Sequence, residues 1–257
     1  MEKPQNVKGI FLDLGGTLLY PPSGSFMFSE LAKKFFPIDK LHSASPKTAA
    51  AARKRAAQHP GFSRPILTVD NEYAVFLSYY TALSEELGLG LSPEDLRTVA
   101  GDKVYNKAGN NRLFEDTAET LKALSDRYRL GIISDTWPSI VPVLEQLGIL
   151  KYFYCFTYSY ELAALKPDVR MYRDALDKMG LPAENTLFVD DNPKNLAGAA
   201  ALGIAPVLIS AEPWSPELDR AFGIDSLQTA GEAVISESRA DRGFPRINKI
   251  SGLLELL

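Results

Sequence analysis

The sequence predicts an α/β fold: a doubly wound, mainly parallel sheet with a helical module inserted after its first strand. Three observations carry this. Short, near-continuous apolar runs end in polar residues. Amphipathic helical patterns separate the later runs. Residues 21–112 show helical patterning with no strand between the helices.

Strands buried on both faces read as continuous apolar runs rather than alternating ones. "VKGIFLDL" (7–14), "RLGIISD" (129–135), "TLFVDD" (186–191) and "APVLIS" (205–210) have that texture, and "FYCFTY" (153–158) has it more weakly. Between them, "DTAETLKALSDRY" (116–128) begins with an Asp or Thr cap and sets Leu121 and Leu124 on one face. "PSIVPVLEQLGI" (138–149) carries Pro138 near its first turn, where a missing N–H costs little, and Gly148 at its end. "PDVRMYRDALDKMG" (167–180) repeats that punctuation. "PKNLAGAAALG" (193–203) is rich in small residues and suits close packing on a sheet. Such alternation predicts right-handed βαβ units.

In the insert, "SFMFSELAKKFF" places Phe28, Leu31 and Phe35 at helical spacing. "PKTAAAARKRAAQH" reads as a solvated, basic helix. "DNEYAVFLSYYTALSEELG" repeats apolar residues at Tyr73, Phe76, Tyr80, Leu83 and Leu87, more simply a helical core than a ligand box. Ser92 caps "SPEDLRTVAGDKVY". The predicted division is therefore a core of residues 1–20 and 113–257 and a helical domain of residues 21–112. Residues 211–245 are rich in Pro, Gly and charge, with one possible helix near 226–238, and "INKISGLLELL" reads as a last strand and helix.

Composition narrows the function classes. The 257 residues carry a net charge of −4, so nucleic acid is not the expected partner. No apolar run approaches the roughly 18 residues that span a bilayer, and "MEKPQNVKG" lacks a signal-peptide core. Cys155 is the one cysteine and lies in an apolar run, which reads as a buried small residue. A reducing, cytoplasmic setting without membrane attachment is the expectation.

Ligands of open α/β sheets bind beyond the carboxyl ends of the strands. The first run ends at Asp13, another at Ser134 and Asp135, and a third at Asp190 and Asp191, while Lys166 precedes a helix start at Pro167. Parallel strands would bring these residues to one edge. Clustered carboxylates repel one another and call for a cation, and all-oxygen ligands suit Mg²⁺. A lysine, a hydroxyl and helix N-termini suit a phosphoryl group. A carboxylate beside that group can attack phosphorus. Each residue also has a plainer reading. Asp13 could close a turn, Ser134 with Asp135 and Asp190 with Asp191 could cap helices, and Lys166 could be a surface lysine. His42 and His59, the two histidines, read as exposed residues of the insert, and Trp137 as either helix packing or the mouth of the site.

With these residues in order, the chain resembles the haloacid dehalogenase-like (HAD) superfamily of hydrolases. "FLDLGGTLL" resembles its first motif, "LGIISD" its second, "LKPDVRMY" its third and "LFVDDNPKN" its fourth. The resemblance covers residues 7–20 and 113–210, and the helical insert is placed like the family's C1 cap on a Rossmann-like core. It implies a phosphatase acting on a small phosphorylated metabolite through an aspartyl-phosphate intermediate. Asp13 would be nucleophile and metal ligand, Asp191 the direct fourth-motif ligand, and Asp190 a second ligand or supporting carboxylate. Ser134 and Lys166 would hold the phosphate. Thr17 would hydrogen-bond around the nucleophile, Gly16 and Asp135 would present backbone N–H groups, and Asn195 would bond a metal-bound water. Substrate and oligomeric state are not legible at this level.

One position departs from the pattern. Family phosphatases usually carry Asp two residues after the nucleophile, as general acid/base; here it is Gly15. Such a group contributes typically 10²–10⁴ in rate, roughly 3–5 kcal/mol. Glycine keeps the backbone carbonyl that the family offers to Mg²⁺. Three consequences stay open: a phosphatase that favours good leaving groups or borrows an acid, a phosphonatase-like enzyme using a cap lysine (Lys33, Lys34, Lys54 or Lys103), and a phospho-ligand-binding protein without turnover. The dehalogenase subgroup carries tyrosine at this position, so halide chemistry is not expected. The simplest expectation from sequence is that Gly15→Asp raises turnover of alkyl phosphates.

Overall fold

The structure is a computed structural model that describes residues 6–58, 62, 64–106, 108–211, 217–228 and 243–257. Its strands are β1 (Gly9–Leu12), β2 (Leu19–Tyr20), β3 (Arg112–Leu113), β4 (Arg129–Ser134), β5 (Cys155–Tyr158), β6 (Thr186–Asp190), β7 (Ala205–Ile209) and β8 (Arg246–Ile247). Six of them form one parallel sheet in the order β5-β4-β1-β6-β7-β8. Strand order runs outward from β1 in one direction and then resumes on its other side, which opens a crevice at the carboxyl end of β1.

Alternate residues of these strands feed two separate apolar layers. Ile10, Leu12, Ile132, Leu187, Val189 and Val207 face Leu121, Leu124, Val143 and Leu144 on one side. Phe11, Ile133, Phe188 and Leu208 face Met171, Tyr172, Ala175, Met179 and Leu196 on the other. Burial on both faces explains why the strands read as unbroken apolar runs. Cys155 lies in the second layer, and burial pushes its thiol up to about 11, so it is an inert packing residue.

Between β2 and β3 the regular elements among the described residues are helices, and the antiparallel β2–β3 pair ties the two ends of that stretch together. The basic helix Pro46–Ala57 is more than a solvated element. Ala49, Ala52 and Ala56 are fully buried, and this small-residue face packs on helix Val69–Glu86. The aromatic residues of the longer helix do form core: Phe76, Tyr79 and Tyr80 are buried with Phe28 and Phe36. Ser92 caps helix Pro93–Tyr105 through a reciprocal capping box with Asp95.

Two expectations fail for identifiable reasons. Residues 25–36 are helical only over Ala32–Phe35, because the N–H groups of Phe26 and Met27 donate to Asp219 and those of Met27 and Phe28 to Ser25 Oγ. The helix expected from residue 138 starts at Ile140. There the fully buried Glu72 carboxylate, reaching over from helix Val69–Glu86, accepts from Ser139 N–H at 2.8 Å and Ser139 Oγ at 2.7 Å.

The C-terminal stretch divides. Arg246–Ile247 and helix Gly252–Leu256 return to the sheet as expected. Phe222, Ile224 and Leu227 instead join the core of the helical segment. Tyr79 donates to the Phe222 carbonyl at 2.8 Å and Arg64 to the Leu227 carbonyl at 2.8 Å. Trp137 donates to Asp225 at 2.8 Å, and Ser159 to Gln228 at 2.6 Å. Residues 217–228 thus strap the helices to the carboxyl edge of the sheet. Residues 225–228 form a short 3₁₀ turn, and the rest of the helix expected at 226–238 lies outside the described residues.

The tight layer under β4 yields a prediction. A methyl group at Gly131 would stand 2.8 Å from the Phe11 ring, 2.9 Å from Cys155 Sγ and 2.9 Å from Met179 Cε. Gly131→Ala is expected to destabilise the protein by about 1–3 kcal/mol in a denaturant titration.

Candidate active site

The parallel register assembles the site. Leu12 lies level with Ile132 and Val189, so the next residues, Asp13, Ile133 and Asp190, meet at the edge. Asp13 N–H donates to the Val189 carbonyl at 3.0 Å, which extends the ladder by one bond and fixes the side chain over the crevice. Ser134, the buried last residue of β4, stands one step further along. Lys166 arrives on the loop before helix Val169–Met179.

Lys166 is the centre of the arrangement. Its buried ammonium lies 2.8 Å from Asp13 Oδ1 and 2.7 Å from Asp190 Oδ2, and it donates to the Ile133 carbonyl at 3.2 Å. Burial alone would lower its pKa, but Asp13, Asp190 and Asp135 together outweigh burial and hold it well above the ordinary lysine value. Asp190, fully buried, also accepts from Asn192 N–H at 2.7 Å and from the Asn195 side-chain amide at 3.0 and 3.1 Å. Deleting such a buried cation strands the carboxylates around it, a loss of about 3–5 kcal/mol.

One ammonium does not balance this site. Asp13, Asp190 and Asp191 each offer a carboxylate oxygen, and these oxygens lie within 4.8 Å of one another. Asp190 is raised above the ordinary carboxylate range, first by burial, with Lys166 opposing. Asp191 is raised further, by burial and then by repulsion from Asp190 and Asp13. A surplus of clustered, desolvated negative charge made of oxygen donors alone fits a hard divalent cation. Asp13 and Asp191 can ligate it directly, with Asp190 held by Lys166 and Asn195.

The remaining expected residues are placed as follows. Gly16 takes φ +75°, and its N–H donates to the Leu19 carbonyl at 2.9 Å. That N–H is spent on the turn and is not presented to a ligand. Gly16 carries the left-handed conformation, while Gly15 is not among the positive-φ residues. A Cβ at Gly15 would instead meet the ring of Phe26 at 3.0 and 3.1 Å. Thr17 is fully buried, and its Oγ1 has no hydrogen-bond partner among the described residues, so the expected bond around the nucleophile is not made. Asp135 accepts from Lys166 N–H at 2.9 Å, and burial lifts its carboxyl to about 8 against the pull of Lys166. It thereby anchors the loop that delivers the lysine. Asn195 binds Asp190 directly. Trp137 is buried against Phe76, with ring centroids 5.2 Å apart, and so packs the helical segment on the sheet edge.

His42 is exposed, and His59 lies outside the described residues. Of the candidate lysines, Lys34 and Lys54 are exposed, and Lys33 bonds Ser23 and Glu30. Lys103 is buried; its ammonium donates to the Phe26 carbonyl at 2.6 Å and lies 4.9 Å from the centre of the Phe76 ring. Sequence reasoning missed Glu72, Phe26 and Asp219. Each acts across a long sequence separation, and none sits in a pattern that periodicity detects.

Comparison with known proteins gives the family and the fold. The family model for haloacid dehalogenase-like hydrolases matches residues 7–203. The chain belongs to that family. It is 28% identical over 222 residues to a glyceraldehyde 3-phosphate phosphatase of Methanothermobacter thermautotrophicus, covering 83% of this chain and 90% of that one. It is 25% identical to a phosphoglycolate phosphatase of Salmonella typhi, covering 80% and 82% of the two chains. Its fold matches the magnesium-bound HAD hydrolase YfnB of Bacillus subtilis with a TM-score of 0.62 at 16% identity, covering 98% of this chain and 99% of that one. No helix among the described residues is long and apolar enough to cross a membrane.

The carboxylate cluster makes a metal prediction independent of turnover. A divalent cation at about a hundred times its Kd should stabilise the fold by about 2.7 kcal/mol, roughly 5–10 °C in the thermal midpoint. Asp191→Asn should remove most of that gain in a thermal melt with and without Mg²⁺.

Proposed function

We propose that the protein is a Mg²⁺-dependent phosphatase of small phosphorylated metabolites that works through an aspartyl phosphate on Asp13. The observation that carries this reading is the buried Lys166 bridge between Asp13 and Asp190, with Asp191 beside it. The two curated relatives named above are phosphatases, which supports the same class.

In this reading the chain's own residues divide the work. Asp13, fixed by its backbone bond to β6, presents one carboxylate oxygen to phosphorus. Lys166 stays protonated and can shift from the carboxylates to a phosphoryl oxygen, bringing positive charge where negative charge develops. Ser134, at the end of β4, supplies a hydroxyl at the strand edge. A cation held by Asp13, Asp191 and the Gly15 carbonyl would neutralise charge on the phosphoryl oxygens when bound. Residues 21–112 act as a cap over the sheet edge, held there by Glu72, Trp137 and residues 217–228. The single buried cysteine suits a reducing, cytoplasmic setting.

A second reading has one observation in its favour. Lys103 is a buried lysine of the cap, which a phosphonatase-like reaction through a Schiff base requires. Its ammonium is committed to the Phe26 carbonyl and the Phe76 ring, so the phosphatase reading stands first.

Asp13→Asn is expected to reduce Mg²⁺-dependent phosphate release to background while the circular dichroism spectrum stays native. Unchanged release in this variant would rule the mechanism out.

A further inference from the structure

The space beside Gly15 is tight. A Cβ at position 15 would stand 3.0 and 3.1 Å from the edge of the Phe26 ring, so the ring would have to give by a few tenths of an ångström. The ring is held by its own backbone from two sides. Phe26 N–H donates to Asp219 Oδ2 at 2.8 Å, and the Phe26 carbonyl accepts from Lys103 at 2.6 Å. Asp219 also accepts from Ser25 Oγ at 2.5 Å and Met27 N–H at 3.1 Å. Next to the ring lies a cavity of about 10 Å³, lined by Ser25, Ser29, Lys103, Asn110 and Asn111. It is no larger than one water. The ring cannot swing into it.

The Gly15 side of the turn, two residues from Asp13, is thus lined by an aromatic ring. Lys166 and Asp190 are tied into the ion-pair network, and Asp135 is turned to the Lys166 amide. We infer that Phe26 is a specificity-determining residue, and that the site takes phosphoryl donors whose leaving group departs without a proton: acyl phosphates first, and aryl or enol phosphates of low leaving-group pKa. This deepens the phosphatase reading and rests on it.

The chemistry balances without a general acid. Asp13 Oδ forms a bond to phosphorus as the bond from phosphorus to the leaving oxygen breaks. That oxygen keeps the electron pair and leaves as a carboxylate, which is stable at neutral pH. Water then bonds to phosphorus, the bond to Asp13 breaks, and the Asp13 carboxylate is restored. The two protons of the water leave on inorganic phosphate. In both steps the leaving group is a weak base, so neither needs the acid that Gly15 lacks.

The test is a leaving-group series on the wild-type protein with Mg²⁺: acetyl phosphate, substituted phenyl phosphates and glycerol phosphate. Acetyl phosphate is expected to exceed glycerol phosphate in kcat/KM by at least ~100-fold, the lower bound of what an absent general acid costs. Rates within tenfold of each other would overturn the inference while leaving the phosphatase reading in place. No release from any member that depends on Asp13 would overturn the phosphatase reading, and the inference with it. The second arm separates Phe26 from other causes. Glycerol phosphate turnover by Gly15→Asp combined with Phe26→Ala should exceed that of Gly15→Asp with Phe26 intact by at least ~10-fold. Equal turnover by the two variants would show that the ring does not block the position.

Discussion

A lysine ammonium buried among carboxylates organises this protein. Lys166 lies within 2.8 Å of both Asp13 and Asp190, and each of these groups is costly to bury without the other. The parallel register of β1 and β6 brings the two acids together, and the loop anchored by Asp135 brings the lysine to them. The fold bears the repulsion of clustered acids because Lys166, Asn192 N–H and Asn195 offset part of it. The part left over falls on Asp191, whose carboxyl is raised by burial and by repulsion from Asp190 and Asp13, and it suits a cation.

The helical segment is joined to this centre by contacts that the sheet itself does not require. Glu72 caps the helix that begins at Ile140, Trp137 packs on Phe76, and residues 217–228 bond to both parts. Asp219 extends that strap to the active-site mouth by holding Phe26. Residues 217–228 and Gly15, two residues from Asp13, are thus coupled through one aromatic ring. A single substitution at Gly15 therefore changes two things, the chemistry and the packing.

Much of this was legible in the sequence. Strands buried on both faces produce continuous apolar runs, and the polar residues that end them, Asp13 and Asp190, meet the lysine that precedes Pro167 at one edge, as the pattern led one to expect. Boundaries slipped where a side chain from afar took over a backbone group: Glu72 at the 140–146 helix, and Asp219 at residues 25–28. Gly15 was legible as a missing acid but not as a packing requirement, because the partner ring belongs to an irregular stretch with no periodicity. The expectation for the Gly16 amide did not include its bond to Leu19, which closes the local turn and carries no pattern in the sequence.

Chemical trapping during turnover tests the central claim most directly. Borohydride reduces an aspartyl phosphate to homoserine. Protein quenched with borohydride while turning over acetyl phosphate with Mg²⁺, then digested and analysed by mass spectrometry, is predicted to carry homoserine at position 13. An unmodified Asp13 under steady turnover would contradict the account, and a reduced carbonyl adduct on Lys103, formed with phosphonoacetaldehyde as substrate, would move the chemistry to the cap.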